Sequence, residues 1–166
     1  MKTRNILLCL SILLFLHSCE KEKNALPVSF KVIKAGNEWV PTISSVVYSV
    51  YEKKFTIHAQ KGASKSFSEI LFIGFKINDL SNPIHSNIYS SLYDLTGGDI
   101  ISNLFTLIPD LENTIQITSL DTIGKEITGT FNLKLARDAH YHQPDTIFLT
   151  EGFFSLPYQE VYYYSK

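Results

Sequence analysis

Residues 127–135 read Ile-Thr-Gly-Thr-Phe-Asn-Leu-Lys-Leu, and this stretch decides the fold class. Phe131 and Leu133 share one parity, while threonine, asparagine and lysine occupy the other. Because successive side chains of a strand point to opposite faces, the alternation predicts a β-strand with one face in a core and the other in solvent. Residues 114–120 predict the preceding strand, which is joined to this one by a turn at 121–125.

The next apolar segment, Thr146 to Leu156, changes parity halfway. Ile147 and Leu149 occupy one parity, but Phe154 occupies the other. A β-bulge near Glu151-Gly152 would give both halves a common inward face, because a bulge adds one residue to one strand of a pair. The segment therefore predicts one strand interrupted by a bulge.

The N-terminal half of the folded part shows the same alternation. Phe30 and Val32 predict a first strand, and a turn signal at 35–37 precedes Trp39 on a return strand. Trp39 is expected in the core or capping it. Residues 46–60 predict a hairpin with a charged corner in its middle.

The middle of the chain is harder to interpret. Both parities are apolar from Ile70 to Ile77, which predicts a strand buried on both faces. Residues 89–95 fit a strand, 99–107 fit either a strand or a short helix, and 161–164 predict a closing edge strand. About eight to ten strands favour an all-β, antiparallel β-sandwich, with an up-and-down or lipocalin-like barrel as the alternative.

The chain begins with the features of an export signal. Lys2 and Arg4 precede an apolar run at residues 6–16, which is shorter than the roughly 20 residues that a membrane-spanning helix needs. The run ends at Leu16-His17-Ser18-Cys19, a pattern similar to the lipobox of bacterial lipoproteins. This resemblance implies that residues 1–18 are a removed signal peptide and that Cys19 carries covalent lipid, with an ordinary signal peptide or an uncleaved anchor as alternatives.

Composition limits what the mature chain can do. The signal contains two of the 15 basic residues and none of the 16 acidic ones, which leaves a formal charge of −3 and no sign of a nucleic-acid partner. The other cysteine, Cys9, lies in the signal, so the mature chain can form no internal disulfide and offers no cysteine nucleophile. Residues 19–27 read as the lipidated cysteine and a charged, flexible tether, and residues 28–166 as a single β domain.

The order of several short motifs resembles small uncharacterised Bacteroidota lipoproteins of the domain-of-unknown-function type. The motifs are Gly36-Asn37-Glu38-Trp39, Ile117-Thr118-Ser119-Leu120, Ile127-Thr128-Gly129-Thr130-Phe131 and Thr150-Glu151-Gly152-Phe153-Phe154. Acidic residues behind Cys19 also resemble the surface-export signals of such lipoproteins. The resemblance implies an anchored all-β domain at the cell envelope, on either face of the outer membrane, and it brings no catalytic residues.

Two groups of residues are candidate sites. His140, His142, Asp138 and Asp145 lie in one polar stretch, and imidazole and carboxylate groups in such a cluster could bind a divalent metal. The ordinary interpretation of this stretch is a solvated loop between strands. Aromatic residues could instead form a surface that binds a glycan or a protein, or they could complete the core. These residues are Trp39, Tyr158, Tyr162, Tyr163 and Tyr164.

The sequence favours a non-enzymatic binding or accessory module, because no nucleophile elbow and no phosphate loop occurs in it. A glycan or an envelope protein is the expected partner, together with the bilayer through Cys19, and no cofactor is expected. The alternatives are a carrier that holds a small apolar ligand inside the fold, and a hydrolytic or metal-dependent enzyme.

Replacing Cys19 with Ala tests the anchor. Acyl chains contribute about 0.8 kcal/mol for each buried CH₂ group, so the variant should leave the membrane fraction and appear in the soluble one. Fractionation of cells that produce each form measures this. Retention of the Cys19→Ala protein in membranes would contradict lipidation at this residue.

Overall fold

A computed structural model describes residues 29–63, 66–78, 82, 84, 87–109, 112–141 and 145–162 of the chain. These residues form an all-β fold, which confirms the fold class expected from the sequence. A single 3₁₀ turn at Ala139–Tyr141 is the only helical element that they contain. The ten strands are β1 (Ser29–Lys34), β2 (Asn37–Trp39), β3 (Ile43–Ser49), β4 (Lys54–Ala63), β5 (Ser66–Phe75), β6 (Tyr89–Thr96), β7 (Ile100–Leu107), β8 (Thr114–Asp121), β9 (Glu126–Arg137) and β10 (Thr146–Val161).

The strands form one sheet in the order β2-β1-β10-β3-β4-β5-β6-β7-β9-β8. Because β10 also pairs with β9, a closed circuit forms from seven strands: β3, β4, β5, β6, β7, β9 and β10. β1 pairs with β10, β2 pairs with β1, and β8 pairs with β9 outside this circuit. All pairs are antiparallel except β10 with β3. This parallel pair and the short contact between β7 and β9 distinguish the circuit from a regular up-and-down barrel.

The inward-facing side chains form one hydrophobic core. Aromatic rings run through it: the centroids of Phe55 and Phe75 are 5.8 Å apart, those of Phe75 and Phe154 are 6.3 Å apart, and those of Phe154 and Phe131 are 6.4 Å apart. Aromatic pairs at such separations add to the stabilisation from burial alone. The alternation predicted for β9 is confirmed, because Phe131, Leu133 and Leu135 are buried.

The bulge predicted in β10 is confirmed. The register of β10 against β9 shifts between Leu149 and Gly152, and Glu151 has a φ of 53°. A Cβ atom on Gly152 would lie 2.5 Å from the ring of Phe131, so only glycine leaves room for that ring. The bulge thus turns Ile147 and Phe154 toward the same core although their sequence parities differ.

Other predicted elements have mixed outcomes. The hairpin of β3 and β4 is present, and β7 settles the choice between strand and helix in favour of a strand. The expected edge strand at 161–164 is wrong in its described part, because Val161 ends β10 and pairs with Ser49 of β3. Ile70 and Phe72 are only partly buried, so the strand predicted to be buried on both faces is fully buried on one.

The signal, Cys19 and the tether lie outside the described residues, so lipidation stays a prediction. Within the described part of the chain, no helix has the length and apolar character needed to cross a bilayer.

Substituting Gly152 with Ala should lower the free energy of unfolding by about 2 kcal/mol, because the added methyl group overlaps the buried ring of Phe131. Urea titration followed by tryptophan fluorescence measures the change. Thr130→Ala, at an exposed position on β9, is the matched control and should change stability by less than about 0.5 kcal/mol. Equal stability of the Gly152→Ala protein and the original would contradict the tight contact.

Candidate functional site

The proposed metal ligands do not come together in the described chain. Nδ1 of His140 lies 2.7 Å from Oδ1 of Asp138, whereas Oδ2 of Asp145 lies 3.3 Å from Nη2 of Arg137. His142 lies outside the described residues. No group of three His, Cys, Asp or Glu residues that could hold a metal occurs among the residues that the structure describes.

The aromatic surface proposed from the sequence needs correction. Trp39 and Tyr158 are 3% and 5% exposed, so neither can belong to an exposed binding surface. The indole N–H of Trp39 donates a hydrogen bond of 2.5 Å to Oε2 of Glu69, and the bulge in β10 turns Tyr158 inward. Tyr162 is 65% exposed, and the last two candidates, Tyr163 and Tyr164, lie outside the described residues.

A charged cluster lies near the turns that follow β1 and join β6 to β7. Lys34 forms an ion pair with Glu69 and lies 3.8 Å from Oδ1 of Asp94, and Asn103 donates a hydrogen bond to the other Asp94 oxygen. Burial lowers the pKa of Lys34, and the negative charge of Asp94 opposes that shift. Since Glu69 also holds the indole of Trp39, the cluster mainly joins β1 and β2 to β5 and β6.

The outer faces of β4, β5 and β6 carry a second set of aromatic residues. Three rows of paired residues cross these strands, and their side chains point away from the core. We call this surface the outer aromatic face. Its rows are Thr56–Gly74–Tyr89, His58–Phe72–Ser91 and Gln60–Ile70–Tyr93.

The rings of this face hold one another in place. The His58 and Phe72 rings stack at 4.5 Å with an interplanar angle of 7°, and Tyr93 meets Phe72 edge-on at 5.9 Å. Each of these three side chains is partly exposed. The face therefore presents partly exposed rings whose positions are fixed before any ligand arrives, which reduces the entropy lost on binding.

Burial keeps His58 neutral over a wider pH range than usual, because it lowers the pKa of the imidazole below its ordinary value of 6.5. Nε2 of His58 lies 2.7 Å from the side-chain nitrogen of Gln60. At pH 7 the middle of the outer aromatic face is thus uncharged and holds polar groups able to form hydrogen bonds.

A depression of about 310 Å³ adjoins the face at Tyr89 and Thr56. The Tyr89 ring lies against Gly74, where a Cβ atom would overlap it, and its hydroxyl lies 2.7 Å from that of Thr56. Lys54 lies 5.0 Å from the centre of this ring and pairs with Glu52 at 2.8 Å. A tyrosine ring, a carboxylate and an ammonium group thus border one depression.

Sequence reasoning missed the outer aromatic face. The segment at 70–77 is apolar on both parities, a pattern that predicts burial on both faces, although one of these faces carries the partly exposed Ile70 and Phe72. His58 also stands at a polar position of its strand, two residues before Gln60, whose side chain it contacts. The pairing of β4, β5 and β6 is what brings His58, Phe72 and Tyr93 together.

The expectation of an apolar ligand inside the fold gains no support from the described residues. Aromatic rings occupy the core, and the described depressions open to the surface. One of them holds about 490 Å³ and lies between the beginnings of β1 and β3.

The lowered pKa of His58 makes stability depend on pH. Between the unfolded value of 6.5 and the lower folded value, the unfolded chain binds more protons, so the free energy of unfolding should fall as the pH drops below 6.5. Urea midpoints measured from about pH 8 to about pH 5 test this. His58→Phe, which can keep the stack on Phe72, should flatten the dependence, and an unchanged slope would contradict the assignment.

Searches of family models, of curated proteins and of solved structures each give no match to this chain. The resemblance to Bacteroidota lipoproteins therefore stays a prediction from the sequence motifs.

Proposed function

We propose that this protein is a lipid-anchored, non-enzymatic binding module of the cell envelope, and that it binds a glycan on the outer aromatic face. The observation that carries the proposal is the stack of His58, Phe72 and Tyr93, which stays partly exposed on the outside of the sheet. The core is filled by a separate set of rings and needs none of these. The lipobox pattern at Cys19 supports the anchor and the outer-membrane location.

The chemistry of the face suits a sugar better than a protein. Sugar rings present apolar C–H patches flanked by hydroxyl groups, and the face pairs aromatic rings with uncharged hydrogen-bonding groups on His58, Gln60 and Thr56. A stable protein interface normally buries about 800 Å² and roughly 20–30 residues on each partner. The three rows of this face comprise nine residues.

The adjoining depression supports the same ligand class. Glu52 can accept and Lys54 can donate hydrogen bonds, and the two groups lie 2.8 Å apart beside the Tyr89 ring. Adjacent hydroxyl groups of a sugar can bind such a pair together, because each hydroxyl both donates and accepts. An extended glycan could thus contact the depression and the rings of the face at once.

Affinity electrophoresis tests the proposal with the chain from residue 19 onward, run in gels that contain soluble glucan, mannan, xylan or pectin. At least one polysaccharide should retard the protein. Tyr93→Ala should weaken that binding about tenfold or more, the effect expected when an aromatic ring is lost from a contact surface.

Phe148→Ala is the matched control, because Phe148 is 48% exposed on β10, away from the outer aromatic face. It should leave retardation unchanged. Equal effects of Tyr93→Ala and Phe148→Ala, or no retardation by any of the four polysaccharides, would count against glycan binding by this face. Circular dichroism of each variant separates lost binding from lost folding.

A further inference from the structure

Three exposed apolar side chains stand at one end of the strand circuit. Tyr51 lies in the turn between β3 and β4, Ile123 lies in the turn between β8 and β9, and Tyr162 follows β10. They are 54%, 88% and 65% exposed. We call this end the Ile123 end. Exposed apolar side chains that lie close together are candidates for contact with another surface, whereas single ones are ordinary.

Backbone contacts bring the three segments together. The N–H of Val50 donates to the carbonyl of Val161, which places the first turn beside the end of β10. The N–H of Tyr158 donates to the carbonyl of Lys125, which places the second turn beside the same strand. The three apolar side chains therefore belong to neighbouring segments.

The turn at 121–125 holds Ile123 outward by a fixed geometry. Oδ1 of Asp121 accepts the N–H groups of Ile123 and Gly124 at 2.9 and 2.7 Å, and Lys125 has a φ of 58°. A side chain presented in this way meets an approaching surface without a further loss of backbone entropy.

Two ion pairs lie at this end. Lys125 pairs with Glu160 at 2.6 Å, and Lys54 pairs with Glu52 at 2.8 Å. The Tyr162 hydroxyl also donates to Glu160, at 3.3 Å. Tyrosine is enriched at membrane–water interfaces, because its ring can lie in the apolar layer while its hydroxyl stays among polar groups.

The chain also enters the fold from the side of this end. β1 begins at Ser29, which pairs with Ser155, and β1 runs antiparallel to β10. Beyond Ser155, β10 continues toward Tyr162. On its other side Ser155 pairs with Thr128, three residues after the turn that holds Ile123.

Chain length limits how far this end can lie from an anchor at Cys19. Nine residues lie between Cys19 and Ser29, so the two can be at most about 35 Å apart. A tethered surface meets its partner at a high effective concentration, so a few apolar contacts are enough to orient the domain.

We infer that the Ile123 end rests on the lipid surface, with Tyr51, Ile123 and Tyr162 in contact with the bilayer interface. The rows His58–Phe72–Ser91 and Gln60–Ile70–Tyr93 of the outer aromatic face lie along the side of the strand circuit, so this orientation leaves them free to bind a ligand. The depression beside Glu52 and Lys54 borders the Ile123 end. The inference rests on the proposed anchor but not on the proposed glycan.

The first experiment uses the lipidated mature chain in phosphatidylcholine vesicles. Its only cysteine, Cys19, is acylated, so a cysteine introduced at Ile123 can be labelled alone with an environment-sensitive dye. Ile100→Cys is the matched control, because Ile100 is 64% exposed at the start of β7, beside the β6–β7 turn and away from the Ile123 end. The dye at position 123 should shift to shorter wavelength and be quenched by spin-labelled lipid, whereas the dye at position 100 should stay in water. Equal signals at both positions would overturn the inference.

A second experiment removes the anchor, so that failure of the two proposals can be told apart. The chain from residue 19 with Cys19→Ser is sedimented with the same vesicles. Ile123→Ser and Tyr162→Ser should each lower the partition coefficient about tenfold, and Ile100→Ser should leave it unchanged. The anchor alone would be refuted if the mature chain failed to attach to vesicles in the first experiment while Ile123→Ser and Tyr162→Ser still lowered the partition coefficient in the second. Equal partition of all variants, or equal dye signals at positions 123 and 100 of the anchored chain, would refute the lipid contact.

Discussion

The fit of the Phe131 ring over Gly152 sets the geometry of the whole sheet. β9 and β10 are the two longest strands, and each pairs with different partners along its length: β9 with β8 and β7, and β10 with β1 and β3. Their mutual register therefore determines where every other strand attaches. The bulge beside Gly152 sets that register and turns the second half of β10 toward the core.

Polar and apolar contacts together hold β1 and β2 in the fold. Lys34, Glu69 and Asp94 bind these strands to the middle strands through charge, and the indole of Trp39 joins the same cluster. Aromatic packing adds to this, because the Phe30 ring lies 5.6 Å from that of Phe131 and 6.0 Å from that of Trp39. Removing one charge from a partly buried group leaves its partner unpaired, which costs more than the pair contributes while intact. The cluster therefore specifies how β1 and β2 attach more than it adds to overall stability.

The fold was more predictable from the sequence than the site. The alternation in β9 predicts a strand, and the parity change around Glu151 predicts a bulge. Both are local features of the backbone, and period-two patterns depend on local backbone geometry. The outer aromatic face depends on the pairing of β4 with β5 and of β5 with β6, and this pairing has no local signature. The expected burial of Trp39 is confirmed, and the bulge, which was also predicted, is what turns Tyr158 inward. The metal hypothesis had relied on sequence proximity, which placed Asp138 beside His140 but left Asp145 with Arg137.

The parallel pair between β3 and the end of β10 also governs how the chain can fold. Val46 meets Tyr158, more than 100 residues later, and this contact closes the circuit. Contacts between such distant segments slow folding, because the entropy of closing a long loop is lost before the contact forms. A growing polypeptide that lacks its last strand leaves β3 and β9 without a partner along one edge and the core open to water. The closed circuit can therefore form only after β10 has been synthesised.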